Sequence, residues 1–225
     1  MIAILQIVNR ILKRAYGYNV PMPYLMLARH DESELNAGER FSGIADSPLT
    51  PHGRIMAARL AHLITGLKPD VAYTSRLSRA RDTLAIMLQE NGWSVPVHAA
   101  AELNERDSGK FTGLSLQAVE QELGHSKFEE LHYGWNVAIP DGETHKAVYA
   151  RVVPYFKRRL LPELEAGRTV LVVAHDHSLR ALIKYLDGLS DRAFQDLRMP
   201  HDQIILYHYD DHGHITAKQI RRLPG

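Results

Sequence analysis

Two rhythms of apolar residues run along the chain. Short continuous apolar runs at 24–28, 71–73 and 169–174 predict buried strands, and 169–174 is the clearest central one. Weaker strand patterns occur at 95–98, 204–209 and 215–219, the last two forming a hairpin around 210–213. Between the strands, apolar positions recur at helical spacing. Thr50 can cap a helix whose first turn holds Pro51; Ala57, Leu60, Ala61 and Ile64 give it an apolar face, and Gly66 closes it. Helices are also expected over 78–90, 115–123, 144–164 (despite Pro154), 178–186 and 191–197. The stretch 125–142, with Gly134, Pro140 and Gly142, reads as irregular. Strands separated by helices predict an α/β fold: a three-layer sandwich whose mainly parallel central sheet is flanked by helices. Neither an internal repeat nor a low-complexity linker divides the chain, so 21–225 read as a single domain.

The first 20 residues stand apart as an amphipathic helical extension. Ile4, Ile7, Val8, Ile11 and Leu12 recur at helical spacing, Arg10, Lys13 and Arg14 share the remainder, and no acidic residue precedes Asp31. A secretory signal places its charges before its apolar run, and here they follow it. The extension is expected to pack on its own domain or on a second copy, with a membrane-surface or transit role as the alternative. No stretch is long and apolar enough to span a bilayer.

Composition narrows the function. A chain of 225 residues, 45% hydrophobic and 24% charged, can bury a real core. A net charge of +1 removes any bulk electrostatic case for nucleic acid or an anionic membrane. The absence of cysteine excludes disulfides, thiolate catalysis and cysteine zinc sites, and fits a cytoplasmic location. Histidine is frequent, with 13 copies, and the question is which of them do chemistry. Ligands of open parallel sheets bind beyond the carboxyl ends of the strands. Three polar clusters occupy such ends: Arg29-His30, Thr74-Ser75 with Arg79, and His175. Two guanidinium forks and two imidazoles at one edge suit a dianionic phosphate, and neutral imidazole is a competent nucleophile near neutral pH.

The order of these pieces resembles a known family. Arg29-His30-Asp31-Glu32-Ser33-Glu34-Leu35-Asn36 is similar to the nucleophile motif of the cofactor-dependent phosphoglycerate mutases of the histidine phosphatase superfamily, with Phe41-Ser42-Gly43 and Ser47-Pro48-Leu49-Thr50 following at the family's distances. The segment from Tyr73 to Thr83, carrying Arg79, resembles the second arginine motif. Leu103-Asn104-Glu105-Arg106 resembles the acid motif, Asp141-Gly142-Glu143-Thr144 the Gly-Glu-Ser element, and the segment from Val172 to Leu189 the second histidine motif. The match extends over 24–209. The resemblance implies that His30 takes the phosphoryl group, that Arg29, Arg79 and His175 hold its oxygens, and that Glu105 is general acid and base. Asn36, Ser42, Gly43, Arg106 and Asp176 are the implied substrate-binding residues. The implied partner is a small phosphorylated metabolite, with no metal and no tightly bound cofactor, 2,3-bisphosphoglycerate being the phosphoryl primer of the mutase reaction. Homodimers or larger homo-oligomers are common in the family.

The departures matter as much. Asp31 stands where the family has glycine, and Asp176-His177 where it has glycine and asparagine. A carboxylate about 7 Å from a phosphate charge costs on the order of 2 kcal/mol per charge pair at an effective dielectric near 20. The two aspartates must therefore point away, pair with arginine, or serve a different substrate; a left-handed backbone, which aspartate tolerates, would preserve the glycine shape. On the substrate side, Ser108, Gln117, His132 and Tyr133 replace a tyrosine, a lysine and two arginines. The overall resemblance makes a mutase interconverting 2- and 3-phosphoglycerate through a phosphohistidine the first reading; these losses favour the alternative, a phosphomonoesterase with a different substrate. A non-catalytic phospholigand-binding homologue and a metal-dependent phosphohydrolase using His30-Asp31 and His175-Asp176-His177 complete the alternatives. His201, His208, His212 and His214 are expected at the surface of loops and the hairpin.

Overall fold

The computed structural model describes residues 22–210 and 212–224. The N-terminal extension lies outside the described residues.

Six strands form one sheet: β1 (Tyr24–Arg29), β2 (Val71–Thr74), β3 (Val97–Ala99), β4 (Val170–Ala174), β5 (Gln203–Tyr209) and β6 (Ile215–Arg222). Their order is β3-β2-β4-β1-β5-β6. The pairs β3-β2, β2-β4 and β4-β1 are parallel, whereas β5 and β6 add antiparallel at the far edge. The predicted parallel centre is thus completed by the predicted hairpin. Its inner strands read as unbroken apolar runs because both faces are covered. Leu25 and Leu27 of β1 face one layer, and Met26 and Ala28 the other.

Nine α-helices among the described residues surround the sheet: α1 (Glu34–Ala37), α2 (Pro51–Ala61), α3 (Ser78–Glu90), α4 (Leu116–Leu123), α5 (His125–Tyr133), α6 (His145–Tyr155), α7 (Leu161–Glu165), α8 (Asp176–Leu186) and α9 (Asp191–Asp196). α2, the 3₁₀ turn after it (His62–Ile64) and α3 cover one face through Leu60, Ala61, Ile64, Leu84 and Met87. α6, α7 and α8 cover the other through Val148, Val152, Leu164, Leu179 and Ile183. The expected three layers are present. Caps behave as the sequence implies: the Thr50, Ser115 and Thr144 hydroxyls accept from the N–H groups of Gly53, Ala118 and Ala147. The first turn of α2 also needs Gly53 for a close approach, since a Cβ there would lie 2.1 Å from the Glu32 carbonyl oxygen. α2 is thereby seated against the loop that follows His30.

Two expectations change. The helix expected over 144–164 runs through Pro154 but is interrupted by a π-helical turn at Phe156–Leu160, where Pro162 offers no N–H to the Arg158 carbonyl four residues before it. The stretch expected to be irregular holds α5. Its Phe128 and Leu131 pack with Phe41, Phe111, Val119 and Ile139 in a small third core that roofs the carboxyl ends of the strands. No described helix is long and apolar enough to cross a membrane.

Candidate active site

β1 delivers Arg29 and His30 to the carboxyl edge of the sheet. The His30 N–H donates to the Ala174 carbonyl at 2.8 Å, which brings the ends of β1 and β4 together. The imidazoles of His30 and His175 then lie with ring centroids 4.8 Å apart at 60°. His30 Nδ1 is 2.7 Å from the Asp31 carbonyl oxygen. A carbonyl only accepts, so Nδ1 carries the proton of neutral His30 and Nε2 presents its lone pair. Burial, and then His175, Arg79 and Arg29, hold His30 well below the ordinary imidazole range. The ring is therefore neutral at physiological pH.

The other strand-end residues collect around it. His175 Nε2 meets Ser75 Oγ at 2.7 Å, while its buried Nδ1 has no partner in the protein. Arg29 donates to the Met199 carbonyl, and its buried Nε is also uncommitted. Asn36 accepts from Ser33 through Oδ1, which leaves its amide N–H groups facing the cleft. Arg79 is fully buried and donates to the carbonyls of Gly43 and Ala45, both at 2.8 Å. It holds the loop whose Ser42 and Gly43 line the cleft, and its Nε is unpartnered. Gly43 has φ +47°, and a Cβ there would meet the Ser108 nitrogen at 2.7 Å. Arg79 and His175 lie under the cleft lining rather than on it.

Glu105 reaches the site from the loop after β3. Its Oε1 accepts from the N–H groups of Arg106 (2.7 Å) and His177 (3.3 Å) and from His177 Nδ1 (3.0 Å). Oε2 takes no hydrogen bond from the described residues. Burial alone would raise this carboxyl, but His175, the Arg106 N–H, Arg79 and Arg29 outweigh it and hold Glu105 below the ordinary range. The loop is clamped by Arg151, which donates to the carbonyls of Glu102, Asn104 and Glu105 and pairs at 2.8 Å with Glu143. Glu143 also accepts from the Asp107 N–H. The Asp141-Gly142-Glu143-Thr144 element is thus a brace for Glu105. Arg106 is buried, donates to the Leu131 carbonyl and lines the cleft.

The two foreign aspartates are resolved differently. Neither adopts a left-handed backbone, so the glycine shape is not what they preserve. Asp176 opens α8, where the helix N-terminus favours an anion. Its carboxylate accepts from Arg180 at 3.3 Å and from the Met199 N–H at 3.2 Å, with Arg29 at 4.0 Å. Burial raises its pKa, but Arg29, His177 and Arg180 pull it below the ordinary range. It lines the cleft, already paired. The Asp31 carboxylate does not line the cleft. Its Oδ1 accepts from the Glu32 N–H, its Oδ2 is buried without a partner, and burial raises it to about 6.

A carboxyl raised in the folded state stabilises fully below its unfolded value of 3.8, and that contribution is lost as pH rises through about 6. Asp31→Asn is therefore expected to raise stability near pH 7.5 by about 1–2 kcal/mol, after allowance for solvent screening. It should also flatten the melting temperature between about pH 4 and 6. Thermal melts across that range check this, and an unchanged profile would refute the buried-charge account.

One expectation fails. His201 is not a surface loop residue: its Nδ1 donates to the His30 carbonyl at 2.6 Å, and its ring lies 5.6 Å from that of His30. Burial lowers it to about 4, so it is neutral. His208 is half-buried against Tyr24, whereas His212 and His214 are exposed as expected. The His175-Asp176-His177 side chains diverge, toward Ser75, Arg180 and Glu105. Among the described residues no group of three or more His, Asp or Glu could hold a metal ion. The cleft, about 390 Å³, continues from Arg29 and His30 past Ser108, His132 and Tyr133 to a mouth with Arg40 and Arg198. Arg198 stacks on the Tyr133 ring at 3.5 Å. Arg40, Arg198 and His201 carry no motif signal. A long-range fold, not a local pattern, brings them here.

Fold and cleft together define an α/β protein that brings Arg29 and His30 to the head of a cleft at the strand ends, with Arg79 and His175 packed beneath its lining. The chain belongs to the histidine phosphatase superfamily, whose branch 1 sequence model matches residues 25–220. It is accordingly a phosphotransferase or phosphatase. Its relatives include 2,3-bisphosphoglycerate-dependent phosphoglycerate mutases: that of Methanosarcina mazei is 33% identical over 84% of this chain and 90% of its own. That of Methylobacterium radiotolerans is 37% identical over 87% and 94%. Among solved structures, the α-ribazole phosphatase of Shigella flexneri superposes with a TM-score of 0.73 at 28% identity, over 89% of this chain and 95% of that one.

Proposed function

We propose that the protein hydrolyses a small phosphomonoester through a phosphohistidine on His30. The observation that carries this reading is the fixed tautomer of His30, a neutral ring with Nε2 free, at the head of a cleft that also holds Glu105, Arg29 and Asn36. Nε2 attacks phosphorus and the ester P–O bond breaks; Glu105, ionised in the free protein, takes up a proton as the anionic ester binds beside it and gives that proton to the leaving oxygen. Water then attacks phosphorus as the P–N bond breaks, Glu105 takes the water proton, and His30 returns to its neutral form. Arg29 and Asn36 supply donors to the oxygens of the moving group, and Arg79, beneath the lining, adds fixed positive charge where phosphoryl transfer most needs it. The replacement of the mutase substrate contacts by Ser108, His132 and Tyr133, all lining the cleft, supports water rather than a second substrate hydroxyl as the acceptor.

The second reading is a phosphoglycerate mutase primed by 2,3-bisphosphoglycerate. Arg40 and Arg198 at the mouth favour it, since they could hold a carboxylate, and so does the identity to the mutases above. Incubation with 2- and 3-phosphoglycerate separates the two. Free phosphate without the other isomer supports hydrolysis, and isomer formation exceeding phosphate release supports the mutase.

The titration of His30 provides a further check. Because its imidazole is held below the ordinary range, kcat for phosphate release should not fall on acidification at about pH 6.5, where an ordinary histidine protonates. The acid limb should lie lower. A limb at or above that value, measured on a hydrolysed ester, would contradict the buried neutral nucleophile.

A further inference from the structure

The wall of the cleft beside Glu105 has a polarity of its own. His177 Nδ1 lies 3.0 Å from Glu105 Oε1. A carboxylate only accepts, so Nδ1 is the N–H and Nε2 carries a lone pair. Nε2 is buried and has no partner. The nearest polar atom recorded for it is Asp176 Oδ2 at 4.0 Å, a second acceptor. Asp176 Oδ2 already accepts from Arg180 at 3.3 Å, but His177 Nε2 has no donor from the protein, and a hydroxyl placed between the two would supply it.

The cations around this wall are committed to its own carboxylates. The Arg180 guanidinium is bonded to Asp176 and the Phe194 carbonyl and packs over the Phe194 ring at 4.6 Å. Arg106 donates to the Leu131 carbonyl and faces Glu105. His145 stacks on His177 with ring centroids 4.9 Å apart, its own Nδ1 donating to the Gly134 carbonyl. His132, on α5, brings a further buried and unpartnered Nδ1 to the same wall. Asp176 holds Arg180 and Arg29, Glu105 faces Arg106, Arg79 and Arg29, and the imidazoles are neutral, so the cations near this wall are already committed to its two carboxylates. A carboxylate placed here would meet two acceptors, whereas a hydroxyl would satisfy them.

We propose that the alcohol half of the substrate carries a free hydroxyl next to the scissile ester, and that His177 Nε2 with Asp176 Oδ2 receives it. This rests on the phosphomonoesterase reading and narrows it to esters of polyols or sugars. Glu105 and His177 share a hydrogen bond, so the residue that recognises the hydroxyl also fixes the acid beside the leaving oxygen. An unpaired buried acceptor discriminates well, because an analogue without the donor leaves it desolvated.

The test uses three small esters that differ at one group: 2-hydroxyethyl phosphate, 2-methoxyethyl phosphate and phosphoglycolate, with p-nitrophenyl phosphate as a general probe. The hydroxyl ester is expected to exceed the methoxy ester and the carboxylate in kcat/KM by about tenfold or more. In His177→Asn, whose amide still reaches Glu105 but not the position of Nε2, the preference should shrink to about twofold or less. Equal rates in the wild type, a preference for phosphoglycolate, or a preference unchanged in His177→Asn would each overturn the proposal. The wild-type series decides alone if the variant does not fold. Failure of every ester, p-nitrophenyl phosphate included, would overturn the hydrolytic reading and this proposal with it.

Discussion

His30→Ala is expected to release no phosphate above background from any ester, a loss of at least about 10⁴-fold. The size of the effect follows from the route. If the phosphoryl group passes through Nε2, its removal leaves water to attack phosphorus directly, with positioning but no nucleophile. His175 cannot stand in, because its Nε2 is engaged by Ser75 and it lies beneath the cleft lining. The same variant should carry no acid-labile label after brief mixing with a labelled ester, whereas the wild type should carry it. The fold should survive. Alanine forfeits the Nδ1 bond to the Asp31 carbonyl and two ring contacts, but the backbone bond from residue 30 to Ala174 remains. The cost is about 1–2 kcal/mol, readable as a modest drop in melting temperature. Activity within tenfold of wild type in a folded His30→Ala protein would rule out the phosphohistidine.

How much of this could be read from the letters depends on how local each cause is. Arg29-His30, Ser75 and His175 were legible because a buried strand ends abruptly in polar residues, and in parallel sheets such ends share one edge. Helix starts were legible because Thr50, Ser115 and Thr144 act within three residues of themselves. α5 was hidden. It lies between Gly124 and Gly134 with only Phe128 and Leu131 as apolar anchors, and part of its buried face is the ring of His132, a polar letter packed against Phe41 and Phe128. The pairing of Asp176 with Arg180 has the spacing of helix neighbours and could have been read. Its second bond, from the Met199 N–H, comes from a loop 23 residues away. His201 was misplaced for the same reason: its bond to the His30 carbonyl spans 171 residues, and no local pattern encodes it.

Glu105→Gln should separate the two halves of the reaction. For alkyl phosphates kcat/KM is expected to fall by about 10²–10⁴-fold, the usual contribution of a positioned acid. The substitution keeps the acceptor at Oε1 for Arg106 and His177, so the loop clamped by Arg151 has no reason to move. It changes Oε2, the oxygen free to give and take a proton. With p-nitrophenyl phosphate the leaving phenoxide is stable without a proton, so the first step should remain fast. The second still needs a base to take the proton of water. The variant should therefore release about one p-nitrophenolate per site in a burst, followed by a slow steady state, with phosphate trapped on His30. A uniform loss with no burst would mean that Glu105 acts only through charge or structure. An unchanged steady state would place the proton transfer on another group, of which His177, bonded to Glu105 at 3.0 Å, is the nearest. The burst is informative because a residue that merely held the cleft together would slow both steps alike.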